Sequence, residues 1–253
     1  MVDVFWLEQS AADVPSGNDW LDAREFVCLN RMRFAPRRAD WRLGRWTAKR
    51  AVAAHFNVPG TPAALGSIEI RPEETGAPEV FMGNRRAPVA ISLSHRSGLA
   101  LCMVAPPGTK LGCDLEVVES RTEAFIADYF THDERELIAE ASSEDRFRLV
   151  ALLWSAKEST LKALRAGLRL DTRAVVVSLE DAAPSRREHL FRPACGPNDW
   201  RRLAVRHTDG QLFHGWWQHS DHLMRTMVAA TATAPPTQLH VRTYVSNRVS
   251  ICS

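Results

Sequence analysis

A proline- and glycine-rich turn near the middle of the chain divides the sequence into two parts. The turn, residues 106–110 (Pro-Pro-Gly-Thr-Lys), separates two apolar runs, 99–105 and 111–118. Pro restricts the backbone and Gly adopts conformations that other residues avoid, so such a cluster marks a turn or a linker. We therefore expect two parts of unequal length, 1–108 and 109–253.

The run that follows the turn has the two-residue period of a β-strand. In residues 111–117 (Leu-Gly-Cys-Asp-Leu-Glu-Val) the odd positions are apolar, and Asp114 and Glu116 share the other face. A strand that presents two carboxylates on one face has to satisfy them with solvent, a cation or a metal ion.

A long amphipathic helix is predicted from about residue 144 to residue 166. It places Glu158 and Lys162 one turn apart on the same face. Such a pair is common on exposed helices and contributes only ~0.2–0.5 kcal/mol there. Here it follows Trp154 directly, in a chain that uses arginine for most of its 32 basic residues. Lys can give up a proton and Arg cannot. The lysines are Lys49, Lys110, Lys157 and Lys162.

The remaining pattern predicts an α+β fold, because helices alternate with β-hairpins. A helix is expected from about residue 40 to residue 57, and Thr131 with Glu134 forms a capping box that begins another. On the first helix, Arg42, Arg45 and Lys49 share one face, which is either solvated or an anion-binding face. Strands are expected at residues 89–95, 99–105, 174–179, 203–206, 212–217 and 225–230.

Three carboxylates and one lysine form the strongest chemical hypothesis. Asp114 and Glu116 on the strand, with Glu158 on the helix, supply the hard oxygen ligands that suit magnesium. Magnesium with a nearby Lys162 suits phosphoryl chemistry, which needs charge neutralisation and a proton source for the leaving oxygen. The sequence alone does not prove that these elements converge.

Composition excludes several classes of protein. The net charge of +2 does not indicate a nucleic-acid binder. No apolar run approaches the ~20 residues of a membrane helix, and residues 1–10 do not resemble a secretory signal. The five cysteines include no CxxC pair, so we expect a reducing, cytoplasmic location and neither a zinc site nor a disulfide framework.

The motifs resemble those of the Sfp-type 4′-phosphopantetheinyl transferase family. The matching segments are residues 112–116 (Gly-Cys-Asp-Leu-Glu) and residues 154–159 (Trp-Ser-Ala-Lys-Glu-Ser), the latter followed by Lys162. Ser94-His95 matches a third motif upstream. The resemblance implies two similar α/β halves with the active site at their junction, and a monomer. It implies magnesium-dependent transfer of the 4′-phosphopantetheine arm of coenzyme A to a serine of an acyl or peptidyl carrier protein, with release of adenosine 3′,5′-bisphosphate.

The resemblance also assigns roles to individual residues. Asp114, Glu116 and Glu158 would hold magnesium, and Glu158 would be the base for the carrier serine. Lys162 would stabilise or protonate the leaving bisphosphate. His95 would contact the 3′-phosphate of coenzyme A, with Ser94 nearby. Arg45 and Lys49 would bind nucleotide phosphates.

One position departs from the family pattern. Many relatives carry Gly-Lys-Pro before the Ser-His motif, whereas this chain has Ala77 in place of the lysine. Either another cation substitutes, with Arg85, Arg86 and Arg96 available, or coenzyme A binds more weakly. The aromatic segment 125–130 is the expected contact for a carrier protein.

Two other functions remain open from the sequence. A magnesium-dependent nuclease or phosphohydrolase would use the same residue types, but would favour a broad basic groove that a near-neutral chain does not indicate. A non-catalytic relative that binds coenzyme A or a carrier without transfer is the second alternative, and Ala77 is the feature that favours it.

Overall fold

The computed structural model describes residues 1–179, 191, 196, 199–220 and 222–241. Its helices and sheets confirm the predicted α+β class. Within these residues no helix is both long and apolar enough to cross a lipid bilayer. The described cysteines Cys28, Cys102 and Cys113 are free thiols, and Cys195 and Cys252 lie outside the described residues.

The first half contains six strands and three α-helices. In chain order these are β1 (Phe5–Ser10), α1 (Ala23–Arg31), α2 (Ala35–His55), α3 (Pro62–Gly66), β2 (Ile68–Pro72), β3 (Pro78–Met82), β4 (Arg85–Arg86), β5 (Ala90–Arg96) and β6 (Leu99–Ala105). The hairpin of β5 and β6 confirms the strands predicted from residue 89 to residue 105.

The second half begins with β7, as the alternating pattern predicts. Its described elements are β7 (Leu111–Val117), α4 (Glu123–Tyr129), α5 (His132–Glu140), α6 (Ser143–Ala163), β8 (Val175–Leu179), β9 (Arg201–His207), β10 (Leu212–Ser220), β11 (Leu223–Ala229) and β12 (Thr237–Gln238). The capping box of Thr131 and Glu134 is confirmed at the start of α5.

Each half packs one 21-residue helix on one sheet. The sheet of the first half has the order β12-β1-β6-β5, and α2 lies on β1 and β6. The sheet of the second half has the order β7-β11-β10-β9-β8, and α6 lies on β7 and β11. A third sheet, β2-β3-β4, extends the first half. The two long helices therefore occupy equivalent places in two similar layers.

The two halves also share a buried ion pair. In the first half the Lys49 ammonium contacts the Glu25 carboxylate at 2.5 Å and donates to the carbonyls of Trp20 and Leu65. Glu25, in the capping box of α1, accepts from the backbone N–H of Ile70 in β2 through its other oxygen. One carboxylate thereby ties the start of a short helix to a long helix and to a strand.

The same arrangement recurs in the second half with different residues. Lys157 of α6 contacts Glu134 at 2.9 Å and donates to the carbonyls of Thr172 and Val175. Glu134 lies in the capping box of α5 and accepts from the backbone N–H of Val177 in β8. The repetition supports the two similar halves that the family resemblance implies.

Two boundaries differ from the sequence-based expectation. Helix α2 begins at Ala35 rather than near residue 40, because Pro36 fits the first turn, where its missing N–H is not needed. Strand β12 pairs in parallel with β1, so the chain returns to the first-half sheet after β11. The division into 1–108 and 109–253 stays a prediction about domains, with the correction that residues 237–241 pack on the first half.

Candidate functional site

The close approach of α6 to β7 builds the site. A Cβ on Gly112 of β7 would lie 1.7 Å from the carbonyl oxygen of Ser159 in α6 and 2.8 Å from the backbone nitrogen of Ala163. Only a residue without a side chain permits this contact. Gly112 therefore lets the strand that carries Asp114 meet the helix that carries Lys162.

Asp114 lies at the centre of the group. It is 5% exposed, and its Oδ1 accepts hydrogen bonds from the Ser94 hydroxyl at 2.9 Å and from the Lys162 ammonium at 2.7 Å. Its Oδ2 is buried and has no hydrogen-bond partner in the described residues. A buried carboxylate oxygen without a donor is costly, so this atom is suited to a cation supplied from outside the chain.

The carboxylate of Glu116 is held in place by three neighbouring side chains. Its Oε1 accepts from the indole N–H of Trp154 at 3.2 Å, and its Oε2 accepts from Arg121 at 3.3 Å, with Arg96 at 3.7 Å. Burial, followed by the charge of Asp114, raises the pKa of Glu116, while the two arginines and the indole oppose that rise. Neighbouring negative charge thus acts on this carboxyl.

Glu158 completes the acidic group from the helix side. Burial raises the pKa of its carboxyl first, and the charges of Asp114 and Glu116 raise it further, while Lys162 opposes them. In the described residues no hydrogen-bond donor contacts this carboxylate. The charges of Asp114 and Glu116 therefore reach Glu158 across the contact between β7 and α6.

Lys162 connects the acids to an open cavity. Desolvation lowers the pKa of its ammonium, but the charge of Asp114 leads a group of neighbours that outweighs this, and the net shift is upward. The ammonium also donates to the carbonyl of Cys113 at 2.9 Å. Its side chain is 31% exposed and lines the cavity, so it presents a positive charge to a ligand there.

The cavity lies between the two halves and has a volume of about 790 Å³. Its wall combines α2, β5, the linker near Gly108 and the end of α6. This volume is within the roughly 300–1,000 Å³ of small-molecule sites. The basic residues on its wall are Arg45, Arg86, His95, Lys162 and Arg165.

Three of these basic residues, Arg45, His95 and Lys162, were predicted from the sequence, and a fourth, Arg86, lines the same cavity as Ala77. His95 is exposed and lines the cavity, as does Arg45, which stacks over Trp41 at 5.0 Å. Ala77 lines the same cavity, and so does Arg86, whereas Arg85 and Arg96 do not. Of the three arginines considered as substitutes, Arg86 is the one with access to a ligand.

The prediction that Lys49 binds a phosphate is wrong. Its ammonium is fully buried, forms an ion pair with Glu25 and donates hydrogen bonds to two backbone carbonyls. The face of α2 that carries Lys49 and Arg45 is covered at Lys49, because the N-terminus of α1 packs over it. Arg42 likewise donates to the carbonyls of residues 15–17 and does not line the cavity.

Ser94 has a different place from the one expected. Its hydroxyl is buried against Asp114 and does not line the cavity, while the adjacent His95 does. This follows from strand geometry, since neighbours on β5 point to opposite faces. Ser94 therefore orients an acid rather than contacting a phosphate. Sequence analysis missed this role and that of Trp154, although the position of Trp154 one turn before Glu158 was a usable signal.

The residues present fit a magnesium ion in donor chemistry. Magnesium prefers one or two carboxylates and completes its shell with water and substrate phosphate. Asp114 offers a buried oxygen without a partner. The pKa values of Glu116 and Glu158 are raised first by burial and then by neighbouring negative charge, which a cation would offset. Within the described part of the chain, however, no three His, Cys, Asp or Glu side chains stand close enough to hold a metal together. The three-acid site stays a prediction.

Comparison with known proteins found a family model that matches most of the second half. Residues 110–217 match the family model of the 4′-phosphopantetheinyl transferase superfamily. The 4′-phosphopantetheinyl transferase HetI of Nostoc sp. (strain PCC 7120) is 28% identical over 152 residues, which are 58% of this chain and 61% of HetI. This chain thus spans about three fifths of the length of that curated relative.

Two solved structures also match, at low similarity. A holo-(acyl-carrier-protein) synthase of Bacillus anthracis in complex with coenzyme A (3′,5′-ADP) is 19% identical, with a TM-score of 0.35, over 42% of this chain and 96% of that one. The holo-[acyl-carrier-protein] synthase of Thermotoga maritima is 18% identical, with a TM-score of 0.32, over 52% of this chain and 76% of that one.

The family match covers the elements that build the site. Asp114, Glu116, Glu158 and Lys162 all lie inside residues 110–217. The resemblance to the 4′-phosphopantetheinyl transferases, which rested on short motifs, is confirmed for this segment.

Proposed function

We propose that this protein transfers the 4′-phosphopantetheine arm of coenzyme A to a serine of an apo acyl or peptidyl carrier protein. In this reaction the serine oxygen bonds to the phosphorus that carries the pantetheine arm. The phosphoanhydride bond breaks, and adenosine 3′,5′-bisphosphate leaves. The observation that carries the proposal is the ion pair between Asp114 and Lys162, which lines the cavity between the two halves, with Glu158 one turn before Lys162 on α6.

Glu158 is the proposed base for the serine hydroxyl. A base needs a free acceptor and a pKa close to the working pH. The Glu158 carboxylate has no hydrogen-bond donor among the described residues, and burial next to Asp114 raises its pKa from the ordinary value of a glutamate. Both features favour acceptance of a proton from an incoming hydroxyl.

Lys162 is the proposed partner of the leaving group. The upward shift of its pKa keeps the ammonium charged, so its main contribution is to neutralise negative charge on the departing bisphosphate. His95, Arg45 and Arg86 line the same cavity and would hold the remaining phosphates. Ser94 keeps Asp114 oriented through its hydrogen bond.

Asp114, Glu116 and Glu158 are the proposed ligands of magnesium, which when bound would neutralise the pyrophosphate of coenzyme A. The two similar halves supply both walls of the cavity from one chain, and this supports an Sfp-type enzyme that acts as a monomer. The proposed location is the cytoplasm, a reducing compartment that suits the free thiols of Cys28, Cys102 and Cys113. The aromatic cluster of Phe125, Tyr129 and Trp154 lies beside Glu116 and is the proposed contact for the carrier.

The test is a transfer assay with purified components. The protein, magnesium and coenzyme A are incubated with a panel of apo carrier proteins from fatty-acid, polyketide and peptide-synthetase systems, and each carrier is measured by intact mass. We expect at least one carrier to gain the mass of the phosphopantetheine arm. A carrier with Ala in place of its acceptor serine should not change.

Variants of the site connect the assay to the structure. Glu158→Gln should lower the rate by about 10²-fold or more, because the base is lost. Glu144→Gln, in the exposed first turn of the same helix, is the matched control and should be silent. Lys162→Arg keeps the charge, so strong impairment would indicate that the lysine also donates a proton.

The two alternative functions predict different results in the same preparation. A nuclease or phosphohydrolase would cleave DNA or a phosphodiester in the presence of magnesium and leave every carrier unmodified. A non-catalytic relative would bind coenzyme A without transfer to any carrier. Either result would refute the proposal.

A further inference from the structure

A second cavity lies on the opposite side of α1 from the buried ion pair. It has a volume of about 770 Å³ and is formed by the outer face of α1 and the turn into α2. Its apolar lining includes Val27, Met32 and Phe34. None of the residues assigned to transfer lines it.

This groove displays apolar side chains that the fold does not use. Phe34 is 74% exposed, Val27 48% and the adjacent Phe26 44%. Helix α1 is held by its inner face, where Glu25 and Leu29 are buried. The outer face therefore remains apolar without a structural need, and clustered exposed apolar residues indicate contact with a partner.

The rim of the groove is strongly basic. Four arginines, Arg24, Arg31, Arg33 and Arg37, line it, and none of its described lining residues is acidic. Arg24 is 3.9 Å from Glu69, and within the described part of the chain the other three have no carboxylate partner. A chain with a net charge of only +2 thus concentrates unpaired positive charge around one apolar groove.

We propose that this groove binds an acidic amphipathic α-helix of a partner protein. The apolar face of such a helix would pack on Val27 and Phe34, and its carboxylates would pair with Arg31, Arg33 and Arg37. Helix-in-groove recognition uses this combination of an apolar stripe and flanking charge. The proposal does not depend on the transferase activity.

Shape and charge favour this occupant over three others. The site is a concave groove with a basic rim, whereas a membrane surface requires a protruding apolar face. A second copy of the chain would bring the same positive charge to the contact. The segment 242–253 contains two arginines and no acidic residue, so it lacks the complementary charge.

The site also adjoins the nucleotide cavity. Arg37 lines the groove, and Asp40 and Trp41, about one turn later on α2, line the cavity between the halves. A helix bound in the groove would therefore stand next to the proposed active site.

The test measures binding of synthetic helices to the full chain. A panel of fluorescein-labelled peptides of about 18 residues carries Leu on one face and Glu on the others, and a matched panel carries Lys in place of Glu. We expect acidic members to bind saturably in fluorescence anisotropy, with affinity that falls as salt is added, and basic members not to bind.

Variants locate the binding. Arg33→Glu with Arg37→Glu, and separately Phe34→Ser, should each weaken binding of the acidic peptides at least tenfold. All three residues are exposed, so circular dichroism should show an unchanged fold. Arg85→Glu in β4 and Phe147→Ser on α6 are exposed control variants and should bind as the parent protein does.

Several outcomes would overturn the proposal. These are the absence of saturable binding across the acidic panel, equal binding of the basic panel, and unchanged binding by the groove variants. Binding to phosphatidylserine vesicles that is lost in the groove variants, without peptide binding, would assign the surface to membranes. Tighter peptide binding by a chain that ends at residue 241 would show that its own segment 242–253 occupies the groove.

Discussion

Asp114 combines two kinds of contact that give its oxygens different roles. Its Oδ1 is committed to Ser94 and Lys162, and its Oδ2 has no partner among the described residues. A carboxylate fixed through one oxygen presents the other in a defined direction, which lowers the entropic cost of binding a cation. The orientation of Asp114 therefore depends on a serine in the other half of the chain.

Removal of that serine hydroxyl tests the dependence. Ser94→Ala should lower kcat by roughly tenfold, equivalent to about 1.4 kcal/mol, because Asp114 loses one of its two donors. The KM for coenzyme A should change little, since Ser94 does not line the cavity. Steady-state kinetics of transfer measure both constants.

The matched control for this change is Ser143→Ala, at an exposed position of α6. Ser143→Ala should leave both constants unchanged. A Ser94→Ala variant with a raised KM and an unchanged kcat would instead support direct contact between Ser94 and a phosphate.

Single residues also show how far sequence analysis reaches. Asp114, Glu158 and Lys162 were found because strand and helix periods place them on common faces, and local geometry decides that. Lys49 was misassigned because its partner Glu25 lies on another helix, and no local pattern reports such a contact. Periodicity identifies the face on which a charge lies but not whether that face is covered.

At the level of elements, the site depends on how closely α6 approaches β7. Gly112 sets that distance, because the backbone of Ser159 occupies the space where a Cβ would be. Ser155 and Ser159 then bond the hydroxyl of Thr226 on β11 at 2.8 and 2.7 Å. Small polar residues on this face of the helix hold it against the sheet.

Gly112→Ala should therefore displace the helix. We expect a loss of roughly 3 kcal/mol in the free energy of unfolding, typical of a severe overpacking, together with a strong loss of transfer activity. Denaturant unfolding followed by circular dichroism measures the first effect. Gly44→Ala is the matched control, because a Cβ there meets nothing within 4 Å, and it should stabilise α2 by about 0.5–1 kcal/mol. Equal stability of both variants would contradict the packing argument.

The short strand β4 offers a second test variant with a matched control, at two adjacent arginines. Arg86 and Ala77 line the cavity between the two halves, and the sequence neighbour of Arg86, Arg85, does not. Arg86→Ala should weaken coenzyme A binding by roughly threefold to tenfold, a modest effect because Arg86 is exposed and already paired with Glu73 and Glu79. Arg85→Ala should have no effect on calorimetric titration with coenzyme A. If both variants bound coenzyme A with the same affinity, Arg86 would not replace the lysine that relatives carry at the position of Ala77.

Across the whole molecule, local patterns were predictable from the sequence and contacts between distant segments were not. The two buried pairs, Lys49 with Glu25 and Lys157 with Glu134, stand in equivalent places although the halves show no obvious repeat in sequence. The α+β class and the main elements were predictable from local patterns. The return of β12 to the first sheet was not, since two residues carry no periodicity.

The buried pairs predict how the halves respond to the loss of a charge. Lys49→Met should reduce the free energy of unfolding by about 3–5 kcal/mol, because Glu25 is then buried without its partner. Adding Glu25→Gln should recover part of that loss, as a double-mutant cycle in denaturant would measure. Folded Lys49→Met protein should bind coenzyme A like the parent, whereas Arg45→Met, which changes the cavity wall, should bind it more weakly. If folded Lys49→Met protein bound coenzyme A more weakly than the parent, Lys49 would contact a phosphate despite its burial, and our assignment would be wrong.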